Sequence, residues 1–231
     1  MSKVLLLSSG LDSLVAWYFL GKPNCLHVMG HSRYSWKELE CILKFKDKHP
    51  ETEVSIVGAN WLSQFEEPDA NIPARNLFFI DVASHFADEI YLVCQLGEMS
   101  IPDRNDKFFS DISKMLTFLY QKKKVVSPVF GNLTKMDMVK WALENGVPKE
   151  ELLGAYSCFS GTGTRCGRCA ACFRAAVALD YCSILPNNFF DENIWEAPII
   201  SEYIRRLKDG KYEQRRAEQT IQVLIKCGLW R

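Results

Sequence analysis

The stretch Val4-Leu5-Leu6-Leu7-Ser8-Ser9-Gly10-Leu11-Asp12-Ser13 decides the architecture of this chain. Its apolar opening reads as a short buried strand, and the pattern from Asp12 to Leu20 reads as a helix. The junction between them lies at the carboxyl end of a strand, where open parallel α/β sheets bind ligands. The helix beyond it offers free backbone N–H groups and the positive end of its dipole to an anionic phosphate. The hydroxyls of Ser8, Ser9 and Ser13 add short donors, and Gly10 lets the backbone approach a ligand with no side chain in the way. Asp12 cannot itself attract phosphate, so its role would be to hold magnesium or to order the loop. The competing reading is helix capping alone, since serine and aspartate are favoured at helix starts.

Outward from this unit, short apolar runs alternate with helical patterns. Strands are expected at Val4–Leu7, Cys25–Met29, Glu53–Val57, Ile90–Cys94 and Lys124–Ser127. Helices are expected over Trp36–Lys48, from Pro73 to about Ala87, over Asp106–Tyr120, and over Lys135–Asn145, closed by Gly146. Strands of this length separated by helices imply right-handed βαβ crossovers. The fold class is therefore α/β, a Rossmann-like, mainly parallel five-stranded sheet. Residues 1–150 form this domain, and residues 151–231 form a cysteine-rich loop with C-terminal helices, Ile199–Lys208 and Glu213–Lys226.

The 231 residues are 48% hydrophobic and 24% charged, enough to bury a real core. Lysine plus arginine, 28, equals aspartate plus glutamate, 28, so no global field draws the chain to nucleic acid or to an anionic membrane. No run approaches the roughly 18 apolar residues needed to span a bilayer. A cytoplasmic protein is expected.

Nine cysteines are unevenly placed. Cys158, Cys166, Cys169 and Cys172 crowd into one loop, and the others are scattered in apolar surroundings. Clustering and an odd total argue against a secreted disulfide framework and for a metal site with reduced core thiols. Four thiolates suit tetrahedral Zn²⁺ with no position left open for water, hence a structural role. An iron–sulfur cluster or a redox pair are the alternatives. Arg165 and Arg168 would partly offset the charge of the thiolates.

The Ser8–Ser13 loop resembles the S-G-G-x-D-S loop of the ATP pyrophosphatases, with Ser9 in place of the first glycine. Should that position demand positive φ, serine would cost roughly 1–2 kcal/mol. Ile72-Pro73-Ala74-Arg75-Asn76 is similar to V-P-G-R-N, again with a glycine exchanged. Pro102-Asp103 with Asp106 and Phe108 is similar to Y-P-D-C-R-x-E-F, with Arg104 at its cysteine and Asn105 at its arginine. Ser127-Pro128, Thr134-Lys135 and the cysteine quartet complete the pattern. Together these motifs resemble the 7-cyano-7-deazaguanine synthase family, nitrile-forming enzymes of queuosine biosynthesis. The stretch Gly30-His31-Ser32-Arg33 and the stretch Gly97-Glu98-Met99-Ser100-Ile101 depart from the family.

The resemblance implies a carbon–nitrogen ligase using ATP, Mg²⁺ and Zn²⁺, with 7-carboxy-7-deazaguanine and ammonia as substrates. Direct nucleic-acid or membrane partners are not expected, and a homodimer is the oligomer to be considered. In this reading Ser8, Ser9, Gly10, Leu11, Asp12 and Ser13 hold the nucleotide. Asp12, Arg75 and Lys135 serve catalysis, and Arg75, Asn76 and Asp103 contact substrate. His31 and His85 read as packing or surface residues. Competing functions are another adenylating enzyme of the superfamily, such as an amide-forming or tRNA-thiolating one, or a zinc-containing nucleic-acid-binding module. Thiolation would require a reactive cysteine near the loop, for which Cys94 is the candidate.

Overall fold

The computed structural model describes residues 1–30, 32–68, 71–98 and 101–230; His31, Met99 and Ser100 lie outside the described residues. The apolar runs become strands β1 (Lys3–Leu6), β2 (Cys25–Met29), β3 (Val54–Gly58), β4 (Glu89–Val93) and β5 (Val125–Val129). All pair in parallel, in the order β3-β2-β1-β4-β5. Alternate residues of β1 face opposite sides, as the two-residue period of a strand requires. Val4 and Leu6 enter one buried cluster, and Leu5 and Leu7 the other.

Helices α1 (Leu11–Phe19), α2 (Ser35–Lys48), α3 (Arg75–Ser84), α4 (Asp106–Tyr120), α5 (Lys135–Glu144) and α6 (Lys149–Gly154) follow the strands in sequence. Then come α7 (Ala170–Tyr181), α8 (Ile199–Lys208) and α9 (Gln214–Lys226). The cluster holding Leu5 and Leu7 also holds Phe173, Tyr203 and Leu224, so the residues after 150 share a core with the sheet. The other cluster covers the α3 and α4 face. No helix among the described residues is long and apolar enough to cross a membrane.

Two boundaries differ from expectation for physical reasons. β5 runs on through Pro128, which pairs in register with Leu92. Proline is tolerated there because β5 is an edge strand. Helix α3 starts at Arg75 rather than Pro73, because Ala74 adopts φ 55°, ψ 20°, a left-handed conformation no helix continues through. Ala74 thus carries the strain considered for Ser9, which lies outside the positive-φ set. Left-handed geometry costs a residue with a Cβ roughly 1–2 kcal/mol, partly offset in any glycine variant by unfolded-state entropy. Ala74→Gly should therefore raise the melting temperature by about 1–4 °C in calorimetry. A lower melting temperature would show that the turn is unstrained.

Candidate functional site

The turn from β1 to α1 opens a cavity of about 270 Å³ at the carboxyl ends of β1 and β4. Strand order reverses at β1, which pairs with β2 on one side and β4 on the other. Ser8, Ser9, Gly10, Asp12 and Ser13 line the cavity. Leu11 turns into the core, 3% exposed. Gly10 precedes α1 with φ −73°, ψ 153° and supplies no side-chain cap, so the first-turn N–H groups are left for an anion. A Cβ on Gly10 would stand 3.3 Å from both Ser8 Oγ and Ser157 Oγ, narrowing the cradle. Ser8 Oγ and Ser13 Oγ are 2.8 Å apart. Ser9 is tied to the chain beyond α6: its carbonyl accepts from Tyr156 N at 2.8 Å, and its Oγ donates to Tyr156 O at 2.7 Å.

Asp12 and Lys135 meet on the same wall, with Lys135 Nζ 2.8 Å from Asp12 Oδ2. Gln95 Nε2 donates to that same oxygen, whereas Asp12 Oδ1 is buried without a partner among the described residues. A carboxylate oxygen of this kind beside the serine-lined turn fits Mg²⁺, which uses one or two carboxylates plus phosphates and water. Lys135 opens α5, where a cation runs against the helix dipole. Its position is fixed by a capping box in which Thr134 accepts from Asp137 N and Asp137 accepts from Thr134 N. From α9, Gln219 accepts from Thr134 Oγ1 at 2.6 Å and donates to Asp137 at 2.8 Å.

The rest of the wall is rich in guanidinium groups. Arg75 donates to Tyr34 Oη at 3.1 Å, and its guanidinium lies 5.7 Å from the Phe79 ring. Asn76 lines the cavity, and its amide is 3.5 Å from the Asp103 carbonyl. Asp103 itself is outside the wall, and its neighbour Arg104 enters the cavity instead, 3.0 Å from Glu98. Burial pushes the Glu98 carboxyl up, but Arg104, the Gln95 N–H, Lys135 and Arg174 outweigh it and hold it below the usual carboxylate range.

Sequence reasoning passed over Gln95, Glu98 and Arg104 as site residues. The available signal was the acidic residue before the Pro-Asp motif, together with an arginine displaced by one position from the family pattern. His85 is exposed, its ring 3.1 Å from Tyr120 Oη.

Four sulfurs converge in the loop before α7. The Sγ atoms of Cys158, Cys166, Cys169 and Cys172 all lie within 4.8 Å of one another. Cys166 and Cys172 Sγ are 3.9 Å apart, and bonds of about 2.3 Å in a tetrahedron imply about 3.8 Å. An iron–sulfur cluster would need more room, because its own iron and sulfide atoms occupy the centre. Cys158 Sγ accepts from Ser160 N and Cys166 N, and Cys169 Sγ from Cys172 N, each at 3.4 Å. Such bonds favour the thiolate that a metal requires.

Arg165 and Arg168 use their donors elsewhere. Arg165 caps the end of α6 through the carbonyls of Leu153 and Ala155, and Arg168 pairs with Glu192. Gly167 has φ +72°, and a Cβ there would fall 2.2 Å from the Glu192 carbonyl, so glycine is required between these cysteines.

Cys94, the candidate sulfur carrier, is fully buried, and burial pushes its thiol up to about 12. A protonated thiol of this kind is not a nucleophile at neutral pH.

A family model described as queuosine biosynthesis protein QueC matches residues 51–182. The 7-cyano-7-deazaguanine synthase of Archaeoglobus fulgidus is 27% identical over 242 residues, covering 91% of this chain and 99% of that protein. That of Persephonella marina is 36% identical over 118 residues, 46% of this chain and 50% of the relative. That of Aquifex aeolicus is 33% identical over 127 residues, 49% of this chain and 56% of the relative. The chain thus spans about half the length of the last two relatives.

Proposed function

Because the chain belongs to the queuosine biosynthesis protein QueC family, matched over residues 51–182, we propose that it converts 7-carboxy-7-deazaguanine and ammonia to 7-cyano-7-deazaguanine at the expense of ATP. The observation that carries this reading is the cradle of Ser8, Ser9, Gly10 and Ser13 at the start of α1, with the Asp12–Lys135 pair beside it.

A carboxylate is a poor electrophile because its leaving group would be oxide. In the proposed reaction a carboxylate oxygen attacks the α-phosphorus of ATP and pyrophosphate leaves. Ammonia then displaces AMP, which departs with that oxygen, and after losing a proton gives the amide. The amide oxygen attacks the α-phosphorus of a second ATP and pyrophosphate leaves. The O-adenylated amide then expels AMP and both nitrogen-bound protons to give the nitrile.

No side-chain nucleophile is needed, so the work of the protein is positioning and charge stabilisation. In this reading the N–H groups of α1 and the serine hydroxyls hold pyrophosphate as it forms, and Lys135 offsets its charge. Arg75 and Asn76 border the reacting groups. Mg²⁺, with Asp12 as its carboxylate, would neutralise the departing phosphates. Zn²⁺ on the four cysteines would be structural.

Protein incubated with ATP, Mg²⁺, ammonia and carboxy-deazaguanine should release pyrophosphate and give a nitrile detected by mass spectrometry. A product heavier than the nitrile by one water would mark an amide-forming enzyme. Pyrophosphate release that ignores the base would sink the reading.

A further inference from the structure

The Asp12–Lys135 and Glu98–Arg104 pairs neutralise two of the cavity's cations. Among the described residues, neither Arg75 nor Arg174 lies within 4.0 Å of a carboxylate oxygen, although both line the cavity and the field of Arg174 reaches Glu98. They stand at the two ends of an aromatic bridge. Arg75 donates to Tyr34 Oη, the Tyr34 and Phe159 rings lie 5.5 Å apart at 35°, and the Arg174 guanidinium is 5.9 Å from Phe159.

The bridge is pinned where its two loops touch. A Cβ on Gly161 would fall 2.5 Å from the Arg33 carbonyl, so the cysteine loop lies directly against the segment that carries Tyr34. Phe159 directly follows Cys158, and Arg174 stands two residues after Cys172, so the cysteine quartet constrains where both side chains stand.

The cavity therefore has two differently built arms around the phosphate cradle. One is apolar and lies on the α3 face of the sheet, walled by Leu6, Leu26, Val28, Ile72 and Leu92. It suits an uncharged purine such as adenine. The other offers the half-buried rings of Tyr34 and Phe159 and the guanidinium of Arg174. A flat bicyclic acid needs that combination: an aromatic face for its rings and a fixed fork for its carboxylate.

Resting on the function proposed above, we infer that Phe159 and Arg174 are the recognition residues for the acid substrate. The base stacks on Phe159, and Arg174 holds one carboxylate oxygen while the other attacks the α-phosphorus. Hydrogen bonds to charged groups and base–aromatic stacking are each worth about ten- to hundred-fold in affinity.

The test is calorimetric binding of 7-carboxy-7-deazaguanine and of its 7-carboxamide, in the presence of an ATP analogue with a non-cleavable α,β linkage. Arg174→Met should weaken the carboxylate about ten- to hundred-fold and the carboxamide less than about threefold. Phe159→Leu should weaken both bases, and Phe159→Tyr should restore them. Affinity for the ATP analogue alone, metal content and melting temperature should be unchanged throughout.

Equal losses for the analogue would assign these residues to the nucleotide and overturn the inference, as would unchanged binding of both bases. If Phe159→Leu does not fold, the carboxylate-to-carboxamide ratio of Arg174→Met decides, with Arg174→Gln in reserve. Wild-type protein that binds the analogue but neither base sinks the functional reading. Wild type that binds base, with an unaltered ratio in Arg174→Met, sinks only this assignment.

Discussion

Lys135→Met should lower the rate of pyrophosphate release by about 10²–10³-fold, the usual effect of removing one preorganised charge at a transition state. The ammonium is 2.8 Å from Asp12 and its side chain is 12% exposed, so its charge acts where water screens it little. Its loss has two consequences with the same sign. In the proposed reaction the departing pyrophosphate would lose a counter-ion, and Asp12 Oδ2 would keep only the Gln95 amide as a partner among the described residues. Melting temperature and bound metal should change little, since α5 keeps its capping box and core residues Met138 and Ala142. Single-turnover measurement with saturating ATP separates the chemical effect from weakened binding. A variant within threefold of the wild-type rate would remove Lys135 from the phosphate site.

Cys169→Ser should have the larger effect on stability, on the order of 5 kcal/mol, or a fall of roughly 10–20 °C in melting temperature. Metal binding to four cysteines is tied to folding, because the unfolded chain has no preformed site. Here the tie is strengthened by what surrounds the sulfurs. Cys169 starts α7, whose Phe173, Ala176, Val177 and Leu179 enter the same core as β1. On the other side, Asp191 N donates to Arg165 O at 2.9 Å, and Arg168 pairs with Glu192. Loosening the quartet therefore frees both α7 and the segment that carries Asp191 and Glu192. Metal content by emission spectrometry and melting by circular dichroism check this. A zinc-free variant that melts within a few degrees of wild type would mean that core packing alone holds the loop.

The β1–α1 unit and the cysteine quartet were legible because each is local: a run, a turn and a spacing fix them without knowledge of the remainder. The two glycine exchanges looked alike in sequence and proved different. Ser9 replaces a glycine at a position with ordinary backbone geometry, whereas Ala74 occupies a left-handed turn that halts the chain before α3. Only dihedral angles distinguish them. Arg104 was hidden by a one-residue slip in an irregular segment, where no period says which side chain faces inward. The Tyr34–Phe159 bridge joins segments far apart in the chain, and aromatic residues carry no mark of their partner. Helices α6 and α7 lacked the periodic signal of the others, and α7 is capped by Cys169 of the quartet, where propensity says little.

The contact of α9 with the start of α5 bears on the order in which the molecule is assembled. An ion pair joins Asp12 to Lys135, and the capping-box residues Thr134 and Asp137 that flank this lysine both bond Gln219. Bringing such distant segments together carries the loop-closure cost that makes non-local structure form late. The position of the Lys135 turn thus depends on a contact between segments more than eighty residues apart, Thr134 and Asp137 with Gln219.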